Sequence, residues 1–268
     1  MKTLLIDVGQ CVGCYGCQIG CKDEHCGQCW MPYAAEQPLT GQFWMHVEQF
    51  ERGNKPFVKV AYIPTPCQHC KNAPCMKVAK DGAVYRRDDG LVIIDPEKSK
   101  GQRQIVDACP YHAIFWNEEL EIPQKCTGCA HLIDAGDEQP IHVPRCFDNC
   151  THNAIMYGEE SELDLEGAEK LHPEFGTEPS VWYKNLPKKF IAGTVYDPVE
   201  KEIIEGATVT ATGEGGTFAA TTDDFGDFWL NGLPESDWKI TIEYNGKTVE
   251  LEASTKEKDV GLGDIAFG

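Results

Sequence analysis

From Phe190 to Gly268, apolar and β-branched positions alternate with polar ones, as in Ala207-Thr-Val-Thr-Ala-Thr212 and Lys239-Ile-Thr-Ile-Glu243. Asp197-Pro198, Gly213, Gly215-Gly216, Asp224 to Gly226 and Asn245-Gly246 interrupt the alternation. Period-2 patterning with turn residues about every ten positions predicts a small antiparallel β-sandwich of about seven strands. Asn245-Gly246, between Ile240–Tyr244 and Lys247–Leu251, predicts a two-residue hairpin turn, because both turn positions must tolerate positive φ. Upstream, Gly158 to Glu178 is rich in carboxylates (Glu159, Glu160, Glu162, Asp164, Glu166) and reads as a short surface helix or connector. Before that the periodicity is irregular, with short strands and many loops, as expected where bound metal rather than apolar area closes the core. Cys109-Pro-Tyr-His-Ala-Ile114 and Cys150-Thr-His-Asn-Ala-Ile155 share Cys-x-x-x-Ala-Ile, which predicts two copies of one structural unit.

A length of 268 residues suggests two domains, and 41% hydrophobic residues are enough for ordinary cores. With 24 Lys+Arg against 43 Asp+Glu the net charge is -19, which argues against nucleic acid or an anionic membrane surface as partner. Met1 to Val8 is too short for a signal-peptide core or a membrane span, and no run approaches the roughly 18 apolar residues of a membrane helix. The expectation is a soluble, cytoplasmic chain without membrane insertion, in which thiols stay reduced.

The chain has 14 cysteines, all between Cys11 and Cys150 and all in tight groups. In Cys11-x2-Cys14-x2-Cys17-x3-Cys21, three thiolates can wrap one iron–sulfur cubane while the fourth, a turn into the following helix, points toward a second. Structural zinc sites use separated Cys-x2-Cys pairs and gain nothing from extra thiolates so close by. The second group is Cys67-x2-Cys70-x4-Cys75, completed by Cys109; the third is Cys126-x2-Cys129 followed by Cys146-x3-Cys150. Two ferredoxin modules are therefore nested. The crossing rule assigns Cys11, Cys14, Cys17 and Cys150 to a first [4Fe–4S] cluster and Cys21, Cys126, Cys129 and Cys146 to a second. The inner module assigns Cys67, Cys70, Cys75 and Cys109 to a third. A further cluster there would need cysteines at Ala79, Ser99, Gln102 and Ile105, and all four are absent together. The expected architecture is α+β. An iron–sulfur domain spans 1–157 (outer module 1–30 plus 120–157, inner module about 60–118), an acidic connector spans 158–189, and the all-β sandwich spans 190–268.

Cys26 and Cys29 remain over: they read as inert structural thiols or a redox dithiol, and Cys26 is an alternative to Cys21 as a ligand. The eight histidines, Trp30, Trp44 and Trp116 read chiefly as packing or surface residues, although an imidazole N–H beside a cluster sulfur would raise its potential. Lys125 and Arg145 each precede a cluster cysteine and read either as charge compensation or as a solvated face. Asp223, Asp224 and Asp227 read as turn chemistry. No phosphate loop, Ser-His-Asp set or His-Glu-x-x-His helix is present, and no catalytic residue is assigned.

With Cys109-Pro-Tyr-His-Ala-Ile114 and Lys125-Cys-Thr-Gly-Cys129, the four cysteine groups resemble the iron–sulfur subunits that partner molybdopterin oxidoreductases of the dimethyl sulfoxide reductase family, over residues 1–157. Members of that family commonly carry four clusters, from which Ala79, Ser99, Gln102 and Ile105 depart; Thr151 stands where a proline is usual. The tail, with Gly193-Thr-Val-Tyr-Asp197, Ile204 to Val209 and Thr221 to Phe228, is similar to transthyretin-like or carboxypeptidase-regulatory modules. The resemblance implies a non-catalytic electron-transfer chain, bound to a large catalytic subunit that alone holds molybdopterin guanine dinucleotide with molybdenum or tungsten. The rival readings are a free-standing polyferredoxin shuttle, a structural zinc protein, and a complex whose clusters are largely structural; which molybdopterin oxidoreductase is the partner stays open.

Overall fold

The computed structural model describes residues 2–138 and 140–268. It divides into two compact units. One runs to Gln49 and resumes over Tyr62–Leu186; the other comprises Phe50–Ala61 and Pro187–Gly268.

In the first unit the strand Lys2–Asp7 lies antiparallel to Ile155–Glu159 and parallel to Trp182–Lys184. Its core residues Leu5 and Ile6 are 1% and 0% exposed, so the N-terminal apolar stretch is the middle of a sheet. The remaining elements are short. The helices Gly16–His25, Pro74–Val78, Gln104–Asp107, Ala130–Ala135 and Arg145–Asp148 each contain a cysteine or lie within two residues of one; the hairpin Val84–Arg86/Val92–Ile94 belongs to the inner module, and Ile114–Asn117/Ile122–Lys125 joins it to the returning outer one. Both copies of Cys-x-x-x-Ala-Ile adopt one conformation. His112 and Asn153, three residues after the cysteine, are left-handed at φ 50° and 53°, the alanines are buried, and the isoleucines open the strands Ile114–Asn117 and Ile155–Glu159.

The acidic segment is not a surface helix. It forms turns, a single 3₁₀ turn at Pro173–Phe175 and then Trp182–Lys184, all within the first unit as far as Leu186. Tyr183 explains the docking: it is fully buried, donates to the Pro64 carbonyl at 3.2 Å and accepts from Gln68 Nε2 at 3.1 Å. A connector that satisfies a buried phenol belongs to the core it enters.

The second unit is a sandwich of two four-stranded sheets. One contains Lys189–Asp197, Glu202–Ile203, Asp227–Leu233 and Val260–Ala266; the other contains Thr208–Gly213, Gly216–Thr221, Asp237–Tyr244 and Lys247–Ser254. The eighth strand, beyond about seven expected, is the two-residue edge Glu202–Ile203. The arrangement is not wholly antiparallel, because Val260–Ala266 crosses back from the opposite sheet and pairs parallel with Lys189–Asp197. Asn245 and Gly246, at φ 46° and 77°, make the expected tight turn, with Tyr244 opposite Lys247. Inward residues such as Ile191, Val209, Phe228, Leu230 and Ile240 form its core.

The unit extends beyond 190–268 by the tip of the hairpin Met45–Asn54/Phe57–Pro66. Phe57 packs edge-on against Trp229, Asn54 accepts from the Gly261 N–H at 2.8 Å, and Arg52 pairs with Asp259 at 2.6 Å. Gly53 is obligatory there: at φ +93° a Cβ would lie 2.3 Å from the Phe57 carbonyl oxygen and 2.7 Å from the Phe190 ring. Sequence distance hid this addition, since periodicity carries no information on which strands meet.

Candidate metal centres

None of the fourteen cysteines forms a disulfide. The loop Cys11–Cys17 turns through Gly13 and Tyr15, both left-handed, and then starts the helix Gly16–His25, which carries Cys17 and Cys21 on buried positions. Cys129 is itself left-handed at φ 53° and starts the helix Ala130–Ala135. Such turns point successive thiols toward a common centre, which an extended chain with its alternating side chains cannot do.

The structure brings the spacing-derived sets together. Cys21, Cys126, Cys129 and Cys146 line one cavity, which His25, His69, Met45 and Tyr157 also border. Cys67, Cys70, Cys75 and Cys109 line a second, with Ala73, Val92, Tyr111 and Ile114 as its apolar wall. Cys11, Cys14 and Cys150 are the cysteines whose charges bear on Cys17, at the more open end, where Cys14 is exposed. The sets are contiguous. Cys17 is a charge neighbour of Cys21 and Cys146, and Cys67 borders both cavities and bears on Cys126.

Burial, reinforced by neighbouring thiols, pushes Cys17, Cys70 and Cys129 up to about 12 and Cys126 to about 11. Cys75 rises to about 11, the Lys125 ammonium opposing its burial, and Cys21 and Cys146 lie well above the ordinary thiol value. Groups so placed hold their protons at neutral pH, and only a cation that replaces those protons can make them ligands.

The surrounding charges suit an anionic iron–sulfur centre. Lys125 is 3% exposed, donates to the carbonyls of Val92 and Cys126, and pairs with no carboxylate among the described residues. A buried ammonium without a counter-charge is costly, and anionic clusters held by Cys75, Cys109 and Cys126, on which its charge bears, would supply one. That decides between compensation and a solvated face. Among the described residues, no three His, Cys, Asp or Glu gather closely enough for a single metal ion. The thiols of a cubane stand further apart than the ligands of one ion.

Where a fourth cluster would sit, the space is filled. Ile105 and Ser99 are fully buried, and Gln102 accepts from the Lys80 N–H at 2.8 Å and donates to the Lys98 carbonyl at 2.8 Å. An amide bridge from Gln102 and the buried Ile105 side chain stand at these positions. Cys26 borders neither cavity; its Sγ lies 3.9 Å from the Pro38 carbonyl, and Cys29 is exposed.

A buried polar cluster beside the Cys21 cavity escaped sequence reasoning. Glu24, 6% exposed, accepts from Arg145 Nε at 2.5 Å and meets His131 Nε2 at 2.9 Å; Trp30 stacks on His131 at 4.4 Å. Burial alone would raise the Glu24 carboxyl, but these partners outweigh it and hold it below the usual range. His25, held down to about 3 by burial and by His131, is neutral. Glu24 and His25 lie one helical turn after Cys21, and Arg145 just precedes Cys146, but nothing in the spacing joins the two. His112, His142 and His152 are exposed, and Trp44 is core. Asp223 accepts from the N–H groups of Phe225 and Asp227 at 2.9 Å, which is turn chemistry.

The 4Fe-4S dicluster domain family matches residues 58–160, and the carboxypeptidase regulatory-like domain family matches residues 191–261. The chain belongs to the iron–sulfur subunits of the dimethyl sulfoxide reductase family of molybdopterin oxidoreductases. It is 40% identical to the pyrogallol hydroxytransferase small subunit of Pelobacter acidigallici, across 98% of this chain and 97% of that one. A tetrathionate reductase subunit of Salmonella typhimurium is 32% identical over 70% of this chain and 74% of its own length. A sulfite dehydrogenase subunit of Allochromatium vinosum is 34% identical over 70% and 83%. Both cover less of this chain than the hydroxytransferase subunit does. Among the described residues, no helix is long and apolar enough to cross a membrane.

Proposed function

We propose that this chain is the electron-transfer subunit of a molybdopterin-dependent hydroxytransferase acting on polyhydroxybenzenes such as pyrogallol. It would carry three [4Fe–4S] clusters and work in the cytoplasm. The observation that carries the reading is the convergence of the Cys21/Cys126/Cys129/Cys146 and Cys67/Cys70/Cys75/Cys109 sets on two adjoining cavities, in a chain alignable end to end with such a subunit.

When bound, each [4Fe–4S] cluster would supply one-electron transfer. Cys11, Cys14, Cys17 and Cys150 would hold the first, Cys21, Cys126, Cys129 and Cys146 the second, and Cys67, Cys70, Cys75 and Cys109 the third. The second set adjoins both others, so the order is a line with the second in the middle. Buried thiols and apolar walls exclude water from the middle and inner sites, while Lys125 offsets their negative charge. The large partner would hold molybdenum or tungsten on molybdopterin guanine dinucleotide and carry out the hydroxyl transfer; no residue of this chain acts on substrate. The cytoplasm keeps the unpaired thiols Cys26 and Cys29 reduced.

Anaerobic purification of the native complex, with metal analysis of every chain, tests this. About twelve irons on this chain, beside a large molybdenum- or tungsten-containing partner, are expected. Twelve irons on an isolated chain would favour a shuttle, and zinc without iron would refute the cluster reading.

A further inference from the structure

His69 has a nitrogen that the fold leaves without a partner. The residue is 7% exposed, in the loop between Cys67 and Cys70. Its Nδ1 accepts from the Val92 backbone N–H at 3.0 Å. A ring nitrogen that accepts carries no proton, so the imidazole is neutral with its hydrogen on Nε2. That Nε2–H is buried and, among the described residues, meets no acceptor, not even a cysteine sulfur. An unpaired buried N–H costs about 1–3 kcal/mol, so native structures normally supply an acceptor.

The acceptor's place follows from the cavities. All four residues of the Cys67–Cys70 loop border the inner cavity, as its own binding loop must. Only Cys67 and His69 reach the larger cavity, together with Gly90 and Leu91, which precede the Val92 that anchors Nδ1. We infer that His69 donates its Nε2–H to an inorganic sulfide of the cluster held by Cys21, Cys126, Cys129 and Cys146. It is a positioning residue of the Cys67 loop that tunes the neighbouring cluster, at the wall shared by the two sites. A donor to cluster sulfur stabilises the more negative, reduced state and raises the potential. The histidine therefore favours the electron resting on the middle cluster.

This inference rests on the cluster reading above, and the test separates the two. The native complex and its H69N and H69Q variants are purified anaerobically, assayed for iron and titrated potentiometrically by EPR. Asparagine keeps an acceptor for Val92 but cannot reach as far as Nε2; glutamine carries an amide N–H to about that position. With iron at the native level, H69N lowers the potential of the cluster whose signal is lost in C129S. The expected change is about tenfold in its one-electron reduction equilibrium, or about 59 mV, and H69Q recovers most of it. An unchanged potential in H69N, or a shift confined to the cluster lost in C70S, overturns the inference while leaving the clusters in place. If H69N loses iron, the native complex labelled with ¹⁵N-histidine decides. His25 borders the same cavity with an unpartnered Nδ1, so the coupling is read in the H25Q variant as well. A ¹⁵N coupling with an exchangeable proton on the reduced cluster that persists in H25Q sustains the inference, and its absence there overturns it. Native complex without iron would refute the cluster reading itself.

Discussion

Cys146, inside Arg145–Asp148, and Cys150, two residues past its end, lie about one helical turn apart yet have different thiol neighbours. Cys146 is 7% exposed and borders the cavity with Cys21, Cys126 and Cys129. Cys150 is half-buried and bears on Cys11 and Cys17. Cys146→Ser and Cys150→Ser should therefore each remove one cluster, and not the same one. If each centre holds four irons, either substitution takes about four of about twelve, a one-third loss of iron and of fully reduced spin. The double variant should keep about a third. The two losses should differ in kind. The Cys146 site adjoins both others, so its loss interrupts electron passage from end to end; the Cys150 site is terminal, and its loss leaves the other two exchanging electrons. Iron analysis with EPR spin counting on anaerobically purified variants reads the first pair of numbers. Stepwise photoreduction, following each remaining signal, reads the second. Loss of one identical EPR signal in both single variants would refute the crossed pairing and the linear order built on it.

Asp259→Ala should destabilise the sandwich unit by about 3–5 kcal/mol in denaturant unfolding, because it strands Arg52 and the Phe190 N–H, which now bond the carboxylate at 2.6–3.0 Å. Replacing both partners with Met and Leu should cost much less, and equal costs would show that the pair is not coupled. Gly13→Ala should lower the iron content of the Cys11 site: at φ +67° the left-handed penalty is about 1–2 kcal/mol, and the new Cβ would sit 2.5 Å from the Tyr62 ring. Full iron in the purified variant would contradict this. Lys170, with Nζ 3.3 Å from the centre of the Trp182 ring, is lowered by burial from 10.5 to about 8. Its folded form binds fewer protons than the unfolded form between those values, so stability rises as pH climbs from about 8 to 10.5, relative to Lys170→Met. Parallel pH–stability curves for the two proteins would remove the effect.

The sequence alone carried the chemistry of the metal centres, because thiolates that share one cubane must come from a short loop and a returning cysteine, and that geometry is written in residue spacing. Period-2 alternation likewise revealed the sandwich and its Asn245-Gly246 turn, since both depend on neighbours two residues apart at most. Residues 50–61 and the acidic segment were misplaced for the opposite reason. Their positions depend on Gly53 closing against Phe190 and on Tyr183 finding Pro64 and Gln68, contacts between residues more than a hundred positions apart. The pairing of Glu24 was hidden in the same way, and the sequence leaves the choice between the two readings of Lys125 and of His69 open for the same reason. Whether a charged or hydrogen-bonding group is buried, and what it faces once buried, is decided only when distant segments close over it and exclude water.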